Sequence, residues 1–175
     1  MTKYFLITLL FLSVFCASPN AFAQSPDVAD ADLKSLIITM KQEDKTGCIN
    51  CASIYSVTIN GDGKVFYEGI NNTKFIGRKT YSIPVEQVKE LVKEFYVVDF
   101  FALNSQYVSV YNDNGTTISR DHAAPLTVSF SLKGKNRQVY DFFGAPQKLK
   151  ILEKKIFETS QAAQFLKPDY QLPKD

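Results

Sequence analysis

The sequence predicts an α+β fold: a single twisted antiparallel β-sheet of about five to six strands, with two main helices packed on one face. Two hairpin patterns predict the sheet, because apolar and polar residues alternate on both sides of a turn in each of them. Two amphipathic helical patterns, each following a hairpin, predict the covering layer. This order suggests a weak internal duplication of a hairpin–helix unit, over residues 53–98 and 125–166.

The first unit begins with a hairpin over residues 53–69. Its turn is Gly61-Asp62-Gly63, because these residues tolerate positive φ. One strand is expected before this hairpin, over 33–40, and another after it, over 74–83. Pro84 then opens an amphipathic helix, since proline suits the first helical turn. The apolar stripe of this helix consists of Val85, Val88, Leu91, Val92 and Phe95.

The second unit is a hairpin over residues 125–143 followed by a helix from about 146 to 165. The hairpin turns at Lys133-Gly134-Lys135. Between the two units, residues 104–124 have no regular pattern. A segment of that length in a compact domain is either functional or mobile.

The first 23 residues are predicted to be a secretory signal peptide. One lysine precedes an apolar run over residues 4–17, and Ala21-Phe22-Ala23 provides a cleavage site after Ala23. The run is shorter than the about 20 residues of a membrane span, which argues against an uncleaved anchor. Cys16 leaves a lipoprotein open, although Phe15 is larger than the residue expected before a lipidated cysteine. We therefore expect a periplasmic or secreted protein.

The mature chain is expected to form one domain. Residues 24–32 are interpreted as a flexible lead-in, 33–166 as a single α+β domain and 167–175 as a C-terminal tail. The net charge of the whole chain is only +2, which gives no electrostatic case for binding nucleic acid. No apolar run after the signal peptide is long enough to span a membrane.

Two cysteines remain after cleavage, Cys48 and Cys51, in a C-x-x-C motif. In an oxidising compartment we expect them to form a disulfide with each other. A thiol–disulfide exchange motif is the alternative, but such motifs usually precede a helix, whereas a strand pattern follows here. Metal binding is a third interpretation, and zinc would need four ligands in a chain that has one histidine.

No catalytic signature is present in the sequence, and we predict no cofactor and no metal. The single histidine, His122, lies beside Arg120 and Asp121 in the irregular segment, where the three could act as an acid–base group. A surface histidine is the more common situation. Together with two tyrosines, two of these residues form a candidate surface for an unidentified protein or small ligand. This surface consists of Tyr107, Tyr111, Asp121 and His122.

Several motifs resemble those of a known family. The opening Gly47-Cys48-x-x-Cys51-x-x-Tyr55 leads into the first hairpin, and Gly144-Ala145-Pro146-x-x-Leu149 opens the last helix. In these motifs the chain resembles a bacterial exported family catalogued as domain of unknown function 6438, over about residues 35–165. The resemblance implies an exported, small α+β domain with no established activity and no catalytic residues to transfer.

The sequence thus predicts an exported domain whose most favoured role is a non-enzymatic binding or interaction module. Cys48 and Cys51 would hold it with a structural disulfide. The alternative is a small envelope redox protein that uses the same two cysteines.

Overall fold

The structure is a computed structural model that describes residues 30–43, 52–111, 117–118 and 124–173. These residues form an α+β domain in which a mixed sheet of seven strands is covered by two main helices. The helices are α1 (Asp30–Leu33), α2 (Val85–Val97) and α3 (Gln147–Ser160). The strands are β1 (Ile37–Gln42), β2 (Ile54–Asn60), β3 (Lys64–Asn71), β4 (Gly77–Ser82), β5 (Gln106–Tyr107), β6 (Val110–Tyr111), β7 (Thr117–Ile118), β8 (Leu126–Leu132) and β9 (Lys135–Asp141). Strands β6 and β7 pair with each other outside the large sheet.

The strand order of the large sheet is β4-β3-β2-β1-β8-β9-β5, so that β1 lies at its centre. The β2–β3 hairpin pairs with one side of β1 and the β8–β9 hairpin with the other. Both contacts are antiparallel, and Thr39 of β1 is opposite both Thr58 and Ser129. Each hairpin is followed by a main helix, although only after the first hairpin does an additional strand, β4, precede the helix.

The α+β class is as predicted, but the sheet has seven strands rather than five to six and is not wholly antiparallel. Strand β5 pairs parallel with β9, where Tyr107 is opposite Asp141. The N–H of Tyr140 donates to the carbonyl of Ser105 at 2.9 Å, and that of Phe142 donates to Tyr107 at 2.9 Å. The segment after α2 therefore adds to the edge of the sheet in the direction of β9. Strand β5 has only two residues, which is too short for an alternating pattern to be visible in the sequence.

One face of the sheet is buried and the other faces water. Strands β1 and β8 alternate regularly between buried and more exposed residues, as expected for a sheet with helices on one side. The apolar stripe of α2 packs on the buried face of the sheet through Val88, Leu91 and Val92. Phe95 of the same helix packs edge-to-face on Phe100, with ring centroids 4.9 Å apart. A single core therefore lies between the sheet and the helices.

Two element boundaries differ from the sequence expectation. The first strand is found at 37–42 rather than 33–40, because the preceding residues form the short helix α1. Helix α3 ends at Ser160, since Gln161 adopts a left-handed conformation with φ of 56°. A 3₁₀ turn over Ala162–Phe165 follows it. None of the helices in the described residues is long and apolar enough to cross a membrane.

Candidate functional site

Polar side chains line the buried face of the sheet at one end. Gln42 closes β1 opposite both Tyr55 of β2 and Leu126 of β8, and Leu126 is in turn opposite Asp141 of β9. Opposite residues of antiparallel strands point to the same face. Gln42 and Asp141 are each only 3 % exposed, and Tyr55 is fully buried. Because buried polar groups are costly unless they are paired, this row marks the end of the sheet as a candidate site.

The last residues of the chain complete this row. We refer to residues 166–173 as the C-terminal segment. Its Tyr170 hydroxyl donates to Oε1 of Gln42 at 2.5 Å and lies 3.0 Å from the hydroxyl of Tyr55. The Tyr170 ring packs at 86° on that of Tyr55 and lies 5.5 Å from that of Phe157 in α3. Within the region interpreted as a tail, Tyr170 thus packs against the core.

Helix α3 contributes charged groups to the same end of the sheet. Lys150 places its Nζ 2.6 Å from Oδ2 of Asp141, and both side chains are largely buried. Glu153, one turn further along, is almost completely buried. Removal of one partner from a buried ion pair strongly destabilises a protein. The contact between Lys150 and Asp141 therefore fixes α3 to β9. The site therefore contains a paired carboxylate, a second buried carboxylate, an amide and two phenols.

Burial moves the pKa values of the two phenols further above neutral pH. It raises the pKa of Tyr55 well above its ordinary value, and the neighbouring Tyr170 adds to this increase. Burial likewise raises the pKa of Tyr170, and the negative charge of Glu153 acts in the same direction. Both hydroxyls therefore remain protonated at neutral pH and act as hydrogen-bond groups rather than as bases. Neutral hydroxyls that donate and accept hydrogen bonds suit a binding site.

A groove of about 760 Å³ opens beside this cluster, between α3 and the C-terminal segment. This volume lies in the range of small-molecule sites. The rings of Phe157 and Tyr170 provide apolar surface in it. Side chains of both charges line the remainder: Lys150, Glu153, Lys154 and Glu158. No group of three or more potential metal ligands occurs among the described residues.

The candidate surface from the sequence is only partly described. Tyr107 is half-buried in β5 at the sheet edge, and its hydroxyl accepts the N–H of Asn104 at 3.1 Å. Tyr111 belongs to β6, but its side chain lies outside the described residues, as do Asp121 and His122. The part of the chain described here therefore brings together none of these four side chains.

Cys48 and Cys51 also lie outside the described residues. The strands that flank this part of the chain, β1 and β2, are paired, and their last pair is Gln42 with Tyr55. The part of the chain that contains the two cysteines therefore connects Gln42 to Tyr55, the two residues that begin the polar row.

The sequence interpretation missed the polar row. Two signals were present: Gln42 continues the buried register of Ile38 and Met40, and Glu153 lies on the inward stripe of α3 beside Leu152. A polar residue in an apolar register indicates either a partner or a functional site. Tyr170 has no comparable local signal, because its neighbours Lys167 to Gln171 follow no period.

The structure thus defines a two-layer α+β domain with a polar cluster beneath its C-terminal segment. The chain belongs to the family described as domain of unknown function 6438, whose model matches residues 38–160. This match begins in β1 and ends at the last residue of α3, so it includes both hairpins and both main helices. Glu153 lies inside the matched range and Tyr170 beyond it. No match was found among curated proteins.

Proposed function

We propose that this protein is an exported bacterial module that binds a small amphipathic ligand in the groove between α3 and the C-terminal segment. The observation that carries the proposal is the groove itself, which lies beside a buried polar cluster. Ligand sites are typically concave and apolar, with a few polar groups that fix orientation. Phe157 and Tyr170 supply the apolar part, and Lys154 and Glu158 supply charges at the rim.

The binding test compares two exposed aliphatic residues on the main helices. Ile151 lies in the groove and is 54 % exposed, whereas Val97 ends α2, is 72 % exposed and does not line the groove. The probe is anilinonaphthalene sulfonate, a fluorescent amphipathic anion that binds accessible apolar surface. Ile151→Glu should weaken its binding by about tenfold, because the substitution places a like charge in the groove and removes apolar contact.

Val97→Glu is the matched control and should bind the probe as the wild type does. Equal affinity in all three proteins, or an equal loss in both variants, would refute the groove as a ligand site. Circular dichroism establishes that each variant is folded before titration.

We further propose that Cys48 and Cys51 form a structural disulfide and that residues 1–23 are removed on export. The first strand described after Cys51 is β2, whereas exchange motifs usually precede a helix. A bond that closes so short a loop contributes only about 2 kcal/mol in the chain-entropy account. Its role would be local, at the connection between β1 and β2.

Thiol titration of the periplasmic protein across a glutathione series tests the disulfide. A structural bond resists reduction until about −300 mV, whereas reduction near −120 to −200 mV would favour the redox protein instead. Mass spectrometry of the same sample should show an N-terminus at Gln24. An intact Met1 would contradict export.

A further inference from the structure

Strand β4 forms one edge of the large sheet, and no other strand of the described residues pairs with its outer side. It spans six residues and most of its side chains are exposed. Ile76, immediately before it, is 58 % exposed. Arg78 and Lys79 of β4 carry charges of the kind that discourage non-specific edge pairing, but the backbone groups that no described strand pairs can still serve as a template for one specific strand.

The hydrogen-bond pattern shows which backbone groups are available. The N–H of Ile83 donates to the carbonyl of Gly63 at 2.9 Å, just beyond the β3–β4 ladder. In an antiparallel pair, hydrogen-bonded and non-bonded residues alternate. Tyr81 and Lys79 therefore bond to β3. The residues whose N–H and C=O groups point away from the sheet are Arg78, Thr80 and Ser82.

We propose that β4 pairs with β4 of a second copy of this chain, antiparallel about a two-fold axis at Thr80. The three outward residues are centred on Thr80, so the axis places Arg78 opposite Ser82 and Thr80 opposite itself. Each outward N–H then meets a carbonyl of the other copy, which gives six intermolecular hydrogen bonds by this ladder pattern. The edge is self-complementary, which is why a second copy, rather than an unrelated peptide, is the occupant.

The side chains are compatible with this register. Arg78 is opposite a serine and Lys79 is opposite Tyr81, so no like charges are directly opposite, and the two Lys79 residues are only diagonal neighbours. The exposed Ile76 comes opposite Pro84 of the second copy. Moving the axis one residue toward the N-terminus would place Lys79 opposite itself. Moving it one residue the other way would place Arg78 opposite Pro84, which has no N–H.

The pairing closes on itself. It uses the same strand in both copies, and such isologous contacts end at a dimer. The opposite edge of the sheet is β5, which has only two residues and offers little for further pairing. The expected assembly is a dimer with one continuous sheet across the two domains.

Sedimentation velocity of the mature chain, combined with two matched variants, tests the dimer. Thr80→Lys places two like charges at the axis and should raise the dissociation constant of the dimer at least about tenfold. Thr58→Lys introduces the same residue on the same face two strands from the edge, and it should leave the dimer intact. Thermal unfolding shows that both variants are folded.

Hydrogen exchange at high and low protein concentration gives an independent readout. The amides of Arg78, Thr80 and Ser82 should exchange more slowly at high concentration, whereas those of Lys79 and Tyr81 are already bonded to β3 and should not change. A chain that remains monomeric at all concentrations overturns the proposal. So does a dimer that Thr80→Lys leaves unaffected, since its contact would lie elsewhere.

Discussion

At the scale of single residues, the Tyr170 hydroxyl connects the end of the chain to the centre of the sheet. Its donation to Gln42 satisfies an amide oxygen in a side chain that is 3 % exposed. Tyr170→Phe keeps the ring and removes the donor. We expect this variant to lose about 1–3 kcal/mol of unfolding free energy, because a buried acceptor is left unsatisfied. Urea denaturation followed by circular dichroism measures the loss.

Tyr96→Phe is the control for this substitution. The Tyr96 ring packs on Phe130 and Phe101, while its hydroxyl has no hydrogen-bond partner among the described residues. Its removal should change the unfolding free energy by less than about 0.5 kcal/mol. Similar losses in both variants would show that the contact with Gln42 adds no stability.

The residues of the polar cluster could not have been assembled from the sequence. The hydrogen bonds of Tyr170 reach positions 115 and 128 residues earlier in the chain. Sequence periodicity describes only neighbours within one element. The buried positions of Gln42 and Glu153 were readable from their registers, but their common location depends on how β1, α3 and the C-terminal segment pack. The chemistry of the candidate site is therefore a property of the tertiary structure.

At the scale of elements, the hairpins and the start of α2 were predicted correctly because local rules determine them. Alternation and turn residues specify β2–β3 and β8–β9, and Pro84 precedes α2 as predicted. The central position of β1 had no local signal. It results from two hairpins, far apart in sequence, that both pair with the same strand. The parallel contact of β5 is equally non-local.

The two hairpin turns differ in what surrounds them, and this gives a prediction. A side chain at Gly61 would place its Cβ 1.7 Å from the carbonyl oxygen of Leu33, which is backbone and cannot rotate away. At Gly134 the corresponding space is open, and the φ of 76° is one that asparagine tolerates. Gly61→Asn should therefore cost about 1–3 kcal/mol or more, whereas Gly134→Asn should cost less than about 1 kcal/mol.

Thermal unfolding of the two glycine variants, side by side, measures this difference. Gly134 has a positive φ and Gly61 does not, so backbone strain penalises the substitution at Gly134 and not the one at Gly61. A larger loss in Gly61→Asn therefore reports the close approach of Leu33. Equal destabilisation would show that the β2–β3 turn does not pack against α1 in solution.

At the scale of the whole molecule, stability should decrease at alkaline pH because of the buried tyrosines. Burial raises the pKa of Tyr81 to about 12, and it raises the pKa of Tyr55 well above its ordinary value. An unfolded tyrosine has a pKa of about 10. Above pH 10 the unfolded chain loses these protons while the folded chain retains them, so the free energy of unfolding falls as pH rises. Below pH 10 the contribution is fully present.

The slope of this decrease identifies the groups responsible. One fully buried tyrosine contributes up to about 1.4 kcal/mol for each pH unit between its unfolded and folded pKa. Urea midpoints measured between about pH 8 and 11.5 should therefore fall steeply above pH 10 in the wild type. They should fall less steeply in Tyr170→Phe, because this variant lacks the Tyr170 phenol, whose pKa burial raises in the folded wild type. An identical slope in the two proteins would mean that Tyr170 is accessible to solvent and that the C-terminal segment does not close the core.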